Sequence, residues 1–317
     1  MGGIVLGILV WQEGGSAVGA LLAVGATGLG SLVWWLRRRK RQGKAVLLDP
    51  GLFKLKGFRL GITGQMLQQI ALGGLMIVLP IYLQMVFEYT AMGAGLTIAP
   101  LSLGMFATAL VAGKRAGRRR PASLIRAGFA LLTIGVAVLI PIVPRAHNGW
   151  PLVLPLVVAG VGLGLLVSQL NNYTLSPIEE EHVSEAAGVN SAAGSFGLSF
   201  GLAFAGAIML MTLSWSFGHK AQNSDVLGPR LQKQVAHALM DDAQVISNTQ
   251  LEEQLKGRRP RVQNEIIRIN AESRHDALQI ALVIPLLAAL IGFLSSFRMM
   301  RLPDPEPSEA AEMMIGG

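Results

Sequence analysis

The 317-residue sequence has no cysteine, which excludes disulfide frameworks, thiolate metal sites and thiol nucleophiles together. Its five histidines, His147, His182, His219, His237 and His275, are scattered singly. No HExxH, P-loop or GxSxG pattern accompanies them, so the residues give no sign of a catalytic centre, a metal or a cofactor. Charge is also scarce, at 15% of residues. Seven stretches lack Asp, Glu, Lys and Arg altogether: 14–36, 60–87, 89–113, 127–144, 146–178, 186–219 and 277–297. A hydrocarbon core roughly 30 Å thick takes about 20 apolar helical residues to cross. The composition therefore argues against a water-soluble enzyme and for an all-α polytopic membrane bundle of about seven full spans plus one partial span.

What charge there is falls between these stretches, and the cations sort by alternate loops. Nine Lys and Arg residues lie from Arg37 to Arg59 and five from Lys114 to Arg120, with Arg126 at the mouth of a span and Arg298 and Arg301 after the last one. The intervening short loops carry Arg145 alone. By the positive-inside rule the basic face and the C-terminus are cytoplasmic, in the inner membrane of a cell. The net charge of +8 is thereby accounted for by orientation and headgroup contacts, and nucleic acid is not expected as a partner. The connection from Ser176 to Ala187 dissents, with four glutamates and no cation, but acidic residues weigh little in that rule.

These boundaries divide the chain into 1–36, a partial span ending near Val10 and one full span; 37–59, a basic cytoplasmic linker with Asp49-Pro50-Gly51 as its turn; and 60–217, with five spans. Then come 218–276, a charged extracytoplasmic cap; 277–297, the final span; and 298–317, a cytoplasmic tail. GGIVLGILVW at the start is too short to cross by itself and has no signal-peptide features, and an incomplete N-terminus is its simplest account. In the cap, Leu227, Leu231, Val235 and Leu239 recur every four residues, and Val262, Ile266 and Ile269 resume that spacing after Pro260, which predicts two helices and a turn. A stabilising lid is the plainer role for such a cap.

Several segments carry a resemblance. LPIYLQMVFEYTAMGAGLTIAP from Leu79 resembles the LPxYLQxVxGxSAxxAGLxxLP signature of the fourteen-span drug:proton antiporters of the major facilitator superfamily. LLDPGLF upstream, AGVGLGLL at Ala159 to Leu166 and GVNSAAGSFGLSFGLAFAGAI at Gly188 to Ile208 resemble further segments of that family. AGKRAGRRR at Ala112 to Arg120 is similar to its GxLaDRxGRR loop, a gating motif, with Gly113, Arg115, Gly117 and Arg118 in place. Lys114 stands where the family has an acid, which puts the charge-dipole latch of that loop in doubt. The resemblance implies the central hairpin and the C-terminal six-helix bundle of a transporter that exports small organic compounds by proton antiport and alternating access. It also implies an N-terminal half, lost by truncation or carried as a separate subunit, since one bundle cannot form both walls of a central cavity.

Proton coupling needs a titrating group inside the membrane, and no carboxylate lies within the seven runs. Glu88 and Asp276 sit at their edges. The spans instead offer neutral polar groups. Gln65, Gln68 and Gln69 share a face of one span at i, i+3 and i+4, Gln169 and Asn172 share a face of another, and Asn190, Ser191 and Ser195 open a third. Most lie within roughly 15 Å of the cytoplasmic boundary, where they would form a polar belt. Gln65, Gln68, Gln69, Gln169 and Asn172 are the candidate substrate contacts. Interhelical hydrogen bonding is the blander account of such groups, and for Asn190 and Ser191 it is preferred. The pairs Gly160 and Gly164, and Gly197 and Gly201, read as close helix approaches rather than a nucleotide loop. Two rival functions stay open: a non-transporting or truncated membrane scaffold, and an anionic-lipid or polyanion binder using Arg37 to Arg41.

Overall fold

The computed structural model describes residues 50–114, 120–146, 148–232 and 248–302, with isolated positions between 25 and 42. The partial span, most of the first full span, Arg115, Gly117 and Arg118, and the helix expected around Val235 and Leu239 lie outside the described residues. Within them all regular structure is helical: α1 (Lys56–Met85), α2 (Ala91–Lys114), α3 (Pro121–Ile142), α4 (Trp150–Leu175), α5 (Glu180–Gln222), α6 (Asn248–Gln254) and α7 (Pro260–Met299). Six of these, all but α6, are long and apolar enough to cross a bilayer. Short 3-10 turns occupy Pro50–Lys54 and Val143–Arg145.

Local chemistry sets the helix ends. Pro121, Pro151 and Pro260 stand in the first turns of α3, α4 and α7, where a missing N–H costs nothing. The Thr90 hydroxyl accepts from the Gly93 N–H at 3.1 Å and caps α2. Glu180 and Glu181 open α5, and His219 and Lys220 close it, the charge order a helix dipole favours. Between α1 and α2 the chain turns through Glu88, whose φ is 54°.

The six long helices form two interlocked triplets. α1 packs most extensively on α5, and α4 about equally on α3 and α2, while α7 closes against α1 and α5. Exchanging α1 with α4, α2 with α5 and α3 with α7 reproduces these pairs apart from α5 with α7, and the α1–α4 and α3–α7 contacts map onto themselves. The pairing follows an inverted repeat of three helices, because an odd number of crossings turns the second copy over, and departs from it where α7 also packs on α5 while α3 does not pack on α2. Glycine makes the equivalent seams possible. A Cβ on Gly160 or Gly164 of α4 would sit on the Leu101 or Met105 carbonyl of α2, and one on Gly197 or Gly201 of α5 on the Met66 or Ile70 carbonyl of α1. The glycine pairs are therefore close helix approaches.

Two helices outrun the charge-free stretches that mark them in the sequence. α5 has 43 residues and α7 has 40, so at 1.5 Å per residue each is about 60 Å long or more, roughly twice a hydrocarbon core. α7 runs without a break through the position between Asp276 and Ala277 where the final span was expected to begin. Its first four turns carry the charges of the cap and pack on the end of α5, held by Lys220 to Asp276 at 2.8 Å and to Glu272 at 3.2 Å. Ser216 also donates to Asp276 at 3.0 Å, and Ser224 to Glu265 at 2.6 Å. Leu227, Leu251, Leu255, Ile266 and Ile269 are buried in the same apolar core as the spans. The Thr249 N–H donates to Glu88 at 2.7 Å, and its hydroxyl donates to the other carboxylate oxygen. The cap segment is thus packed as a continuation of the bundle.

Candidate functional site

The five candidate contacts sit on α1 and α4 near the end of the bundle that carries Lys56, Arg59, Lys114 and Arg120. Here Gly61 of α1 lies against Thr174 of α4, and Gly64 against Leu170. The two helices run antiparallel, and Gln68 falls on the same stripe of α1 as Gly61 and Gly64. Gln68 is 1% exposed and Gln169 2% exposed, so both amides are enclosed in the bundle. Gln65 and Gln69 turn instead toward α5. Both lie across Gly194, and Gln69 continues across Gly197, whose missing side chains leave the space the amides occupy. The arc of α1 that holds all three glutamines is thus shared between two neighbouring helices.

α4 and α5 meet at the same level. The Asn190 side-chain N–H donates to the Asn171 side-chain oxygen at 3.1 Å, an interhelical bond of the packing kind. The Gln169 amide donates to the neighbouring Ser168 hydroxyl at 3.3 Å. Gln65, Gln68, Gln69, Gln169 and Asn190 are therefore brought to one depth. Asn172 is exposed, unlike Gln169, and its carbonyl accepts from the Ser176 N–H and hydroxyl. The shared face of Gln169 and Asn172 straddles the boundary between inside and outside. Ser191 and Ser195 are exposed as well.

The partners of this belt are incomplete. The side-chain oxygens of Gln68, Gln69 and Asn190 are buried with no hydrogen-bond partner, and an enclosed acceptor without a donor costs about 1–3 kcal/mol. Three such oxygens within a few turns form a cluster of acceptors able to take N–H or O–H groups. They carry no formal charge. No group of three or more His, Asp or Glu residues is arranged to hold a metal ion among the described residues.

Of the five residues expected to form a gating loop, Gly113 and Lys114 are described and end α2. Gly113 has open space where a Cβ would stand, and Lys114 is exposed. None of the candidate contacts lines a cavity of about 300 Å³ found toward the other end of α1, between α1, α5 and α7. The sequence reading did not single out Asn171 as the partner of Asn190, nor Arg274 and Tyr82, which line that cavity.

An inverted repeat of three membrane-length helices, joined by glycine seams, is the architecture of one half of a rocking-bundle transporter. Residues 1–217 match the Major Facilitator Superfamily. The chain belongs to this superfamily. Among curated relatives it is 25% identical over 191 residues to the protein named for actinorhodin transport in Streptomyces coelicolor, covering 59% of this chain and 33% of the relative. It is 29% identical over 202 residues to a tetracycline resistance determinant of Streptomyces rimosus, covering 63% and 56%. It is 30% identical over 198 residues to MdtD of Yersinia pestis, named for multidrug resistance, covering 61% and 40%. The matches thus span between a third and just over half of these relatives. As a major facilitator protein with six bilayer-length helices, the chain is a multi-pass membrane protein of a family of small-molecule transporters rather than of enzymes.

Proposed function

We propose that this chain forms one wall of an efflux pathway for small organic compounds, working by alternating access against a second six-helix wall. That wall is an N-terminal half of the kind the fourteen-span drug:proton antiporters possess, on the same polypeptide or a separate one. The observation that carries the reading is the cluster of buried, unpartnered amide oxygens of Gln68, Gln69 and Asn190, with Gln65 and Gln169 at the same depth. Neutral acceptors in an apolar surround suit amphipathic compounds that carry a neutral N–H or O–H group, since these complete the missing bonds without leaving a buried charge. Asn172 and the serines of α5 border the cluster. Relatives named for tetracycline resistance, multidrug resistance and actinorhodin transport agree with such a cargo.

The basic end, with Gly113, Lys114 and the following Arg115, Gly117 and Arg118, faces the cytoplasm of the inner membrane, and the C-terminus lies on that side. The 218–276 connection lies on the opposite, extracytoplasmic side. Proton antiport is the coupling proposed. Its titrating acid belongs to the second wall, because the charge-free spans of this chain hold no carboxylate. The test is efflux of ethidium from proteoliposomes holding the transporter assembled from both halves, with an imposed pH gradient. Gln69→Leu is expected to lower the rate at least tenfold while the protein still assembles. An unchanged rate removes the amide cluster from the pathway.

A further inference from the structure

The cavity between α1, α5 and α7 is a slot with one open side. α7 closes its back, where Ala277 and Leu278 are buried. Ile77, Ile81 and Met85 of α1 and Leu202 and Leu210 of α5 line it yet stay half-buried, so the opening runs between those two rows. Its inner end is shut where the three helices converge: a Cβ on Gly74 would stand 3.1 Å from the Pro285 ring and 3.5 Å from Ala205. Small residues, Ala203 and Gly206 on α5 and Ala277 on α7, leave the space unfilled.

Shape and polarity define what fits. The lining segments, Ile77 to Val86 and Leu202 to Leu213, run about 15 Å along their helices. Over that length a volume of about 300 Å³ leaves a cross-section of about 20 Å², close to that of one extended alkyl chain. The two polar side chains in the wall are engaged elsewhere. The Tyr82 hydroxyl donates to the Val143 carbonyl at 3.2 Å, and Arg274 donates its Nε–H to Asn270 at 3.2 Å and is offset by the charge of Glu88. An occupant is thus met chiefly by apolar contact. On α1 the slot continues the row of the amides, because Gln65, Gln69, Gly73, Ile77, Ile81 and Met85 follow one another at i, i+4. The acceptors lie toward the basic end of that row and the slot toward the cap.

Resting on the transport reading above, we propose that this slot takes the alkyl tail of an exported compound, and that the cargo includes elongated, uncharged amphiphiles with a single tail. A compound that leaves the acceptors of Gln68, Gln69 and Asn190 toward the cap end meets the slot next along α1. A compact ring system of equal volume has no place in a passage one alkyl chain wide.

Binding is read on the full chain in phosphatidylcholine nanodiscs, with a diazirine-bearing dodecanol and peptide mapping after photolysis. Labelling of 77–86 and 202–213 is expected to exceed that of the exposed stretch 102–111 of α2 at least threefold. Dodecanol is expected to displace it, and adamantanol to leave it unchanged. Leu210→Trp, at the half-buried rim, is expected to cut slot labelling at least tenfold with α2 labelling unaltered, which shows that the variant is folded. Transport is read in proteoliposomes holding both halves. There L210W is expected to lower efflux of uncharged nitrobenzoxadiazole-dodecylamine at least fivefold and to leave ethidium within twofold. Slot labelling no stronger than on α2, unchanged in L210W, or displaced equally by adamantanol overturns the site. Ethidium efflux with dodecylamine efflux unchanged in L210W overturns its part in export. Absence of efflux for both dyes in the wild type, with slot labelling intact, overturns the transport reading and leaves an alkyl-binding site.

Discussion

The two ends of the bundle differ in how they hold charge, although an enclosed hydroxyl without a partner, that of Ser273, occurs at the cap end too. At the cap end nearly every charged side chain near the α5–α7 seam has a named partner: Lys220 with Asp276 and Glu272, Arg268 with Glu265 and Glu272, Glu88 with Thr249. At the basic end the groups are neutral amides, and three of their oxygens are enclosed without a donor. On the proposed reading, the difference separates an end that stabilises the bundle from an end that meets the substrate. Paired charges fasten long helices to one another, whereas open acceptors reduce stability and are retained where something else is to complete them.

Both ends depend on the α1–α5 seam, and breaking it gives the largest effect. Gly201→Leu drives a side chain into the Ile70 carbonyl, backbone that cannot turn aside. A loss of about 3 kcal/mol or more is expected, read as a collapse of the thermal unfolding temperature in detergent. A wild-type melt would mean the helices are less closely apposed. A smaller loss, about 1 kcal/mol, is expected from Asp276→Ala, which removes a partner of both Lys220 and Ser216 while Glu272 remains to hold the lysine. That loss should shrink in high salt, as a partly exposed ion pair requires. The contrast sharpens with Gln69→Leu, for which the unfolding temperature should stay within a degree or two or rise slightly, because an unsatisfied acceptor is exchanged for an apolar group of similar size. A clear fall would mean that Gln69 holds the bundle together, and would erase the difference between the two ends.

The spans were legible from charge alone, because each of the six described helices long and apolar enough to cross a bilayer contains most or all of one of the stretches without an ion. The same rule misjudged the lengths of α5 and α7. Glu185 and Lys220 end the charge-free stretch but not the helix, and Pro260, rather than Asp276, starts α7. Helices end where backbone groups are capped or proline intervenes, not where charge begins. The candidate site was legible in its depth. The 3.6-residue period put Gln65, Gln68 and Gln69 on one arc, but the division of that arc between α4 and α5 depends on Gly61, Gly64, Gly194 and Gly197 in other positions. Glu88 and Thr249 are 161 residues apart, and nothing in either neighbourhood announces their meeting. Asn171 and Asn190 meet only because the α4–α5 turn is short.

α5 begins among the acidic residues at Glu180 and ends beside the ion pairs of Lys220 without a proline or a bulge. It is therefore one continuous rod, crossing the glycine seam on α1 part-way along its length. The Asn190–Asn171 contact and the Lys220 ion pairs are thus joined through a single helix with no break between them.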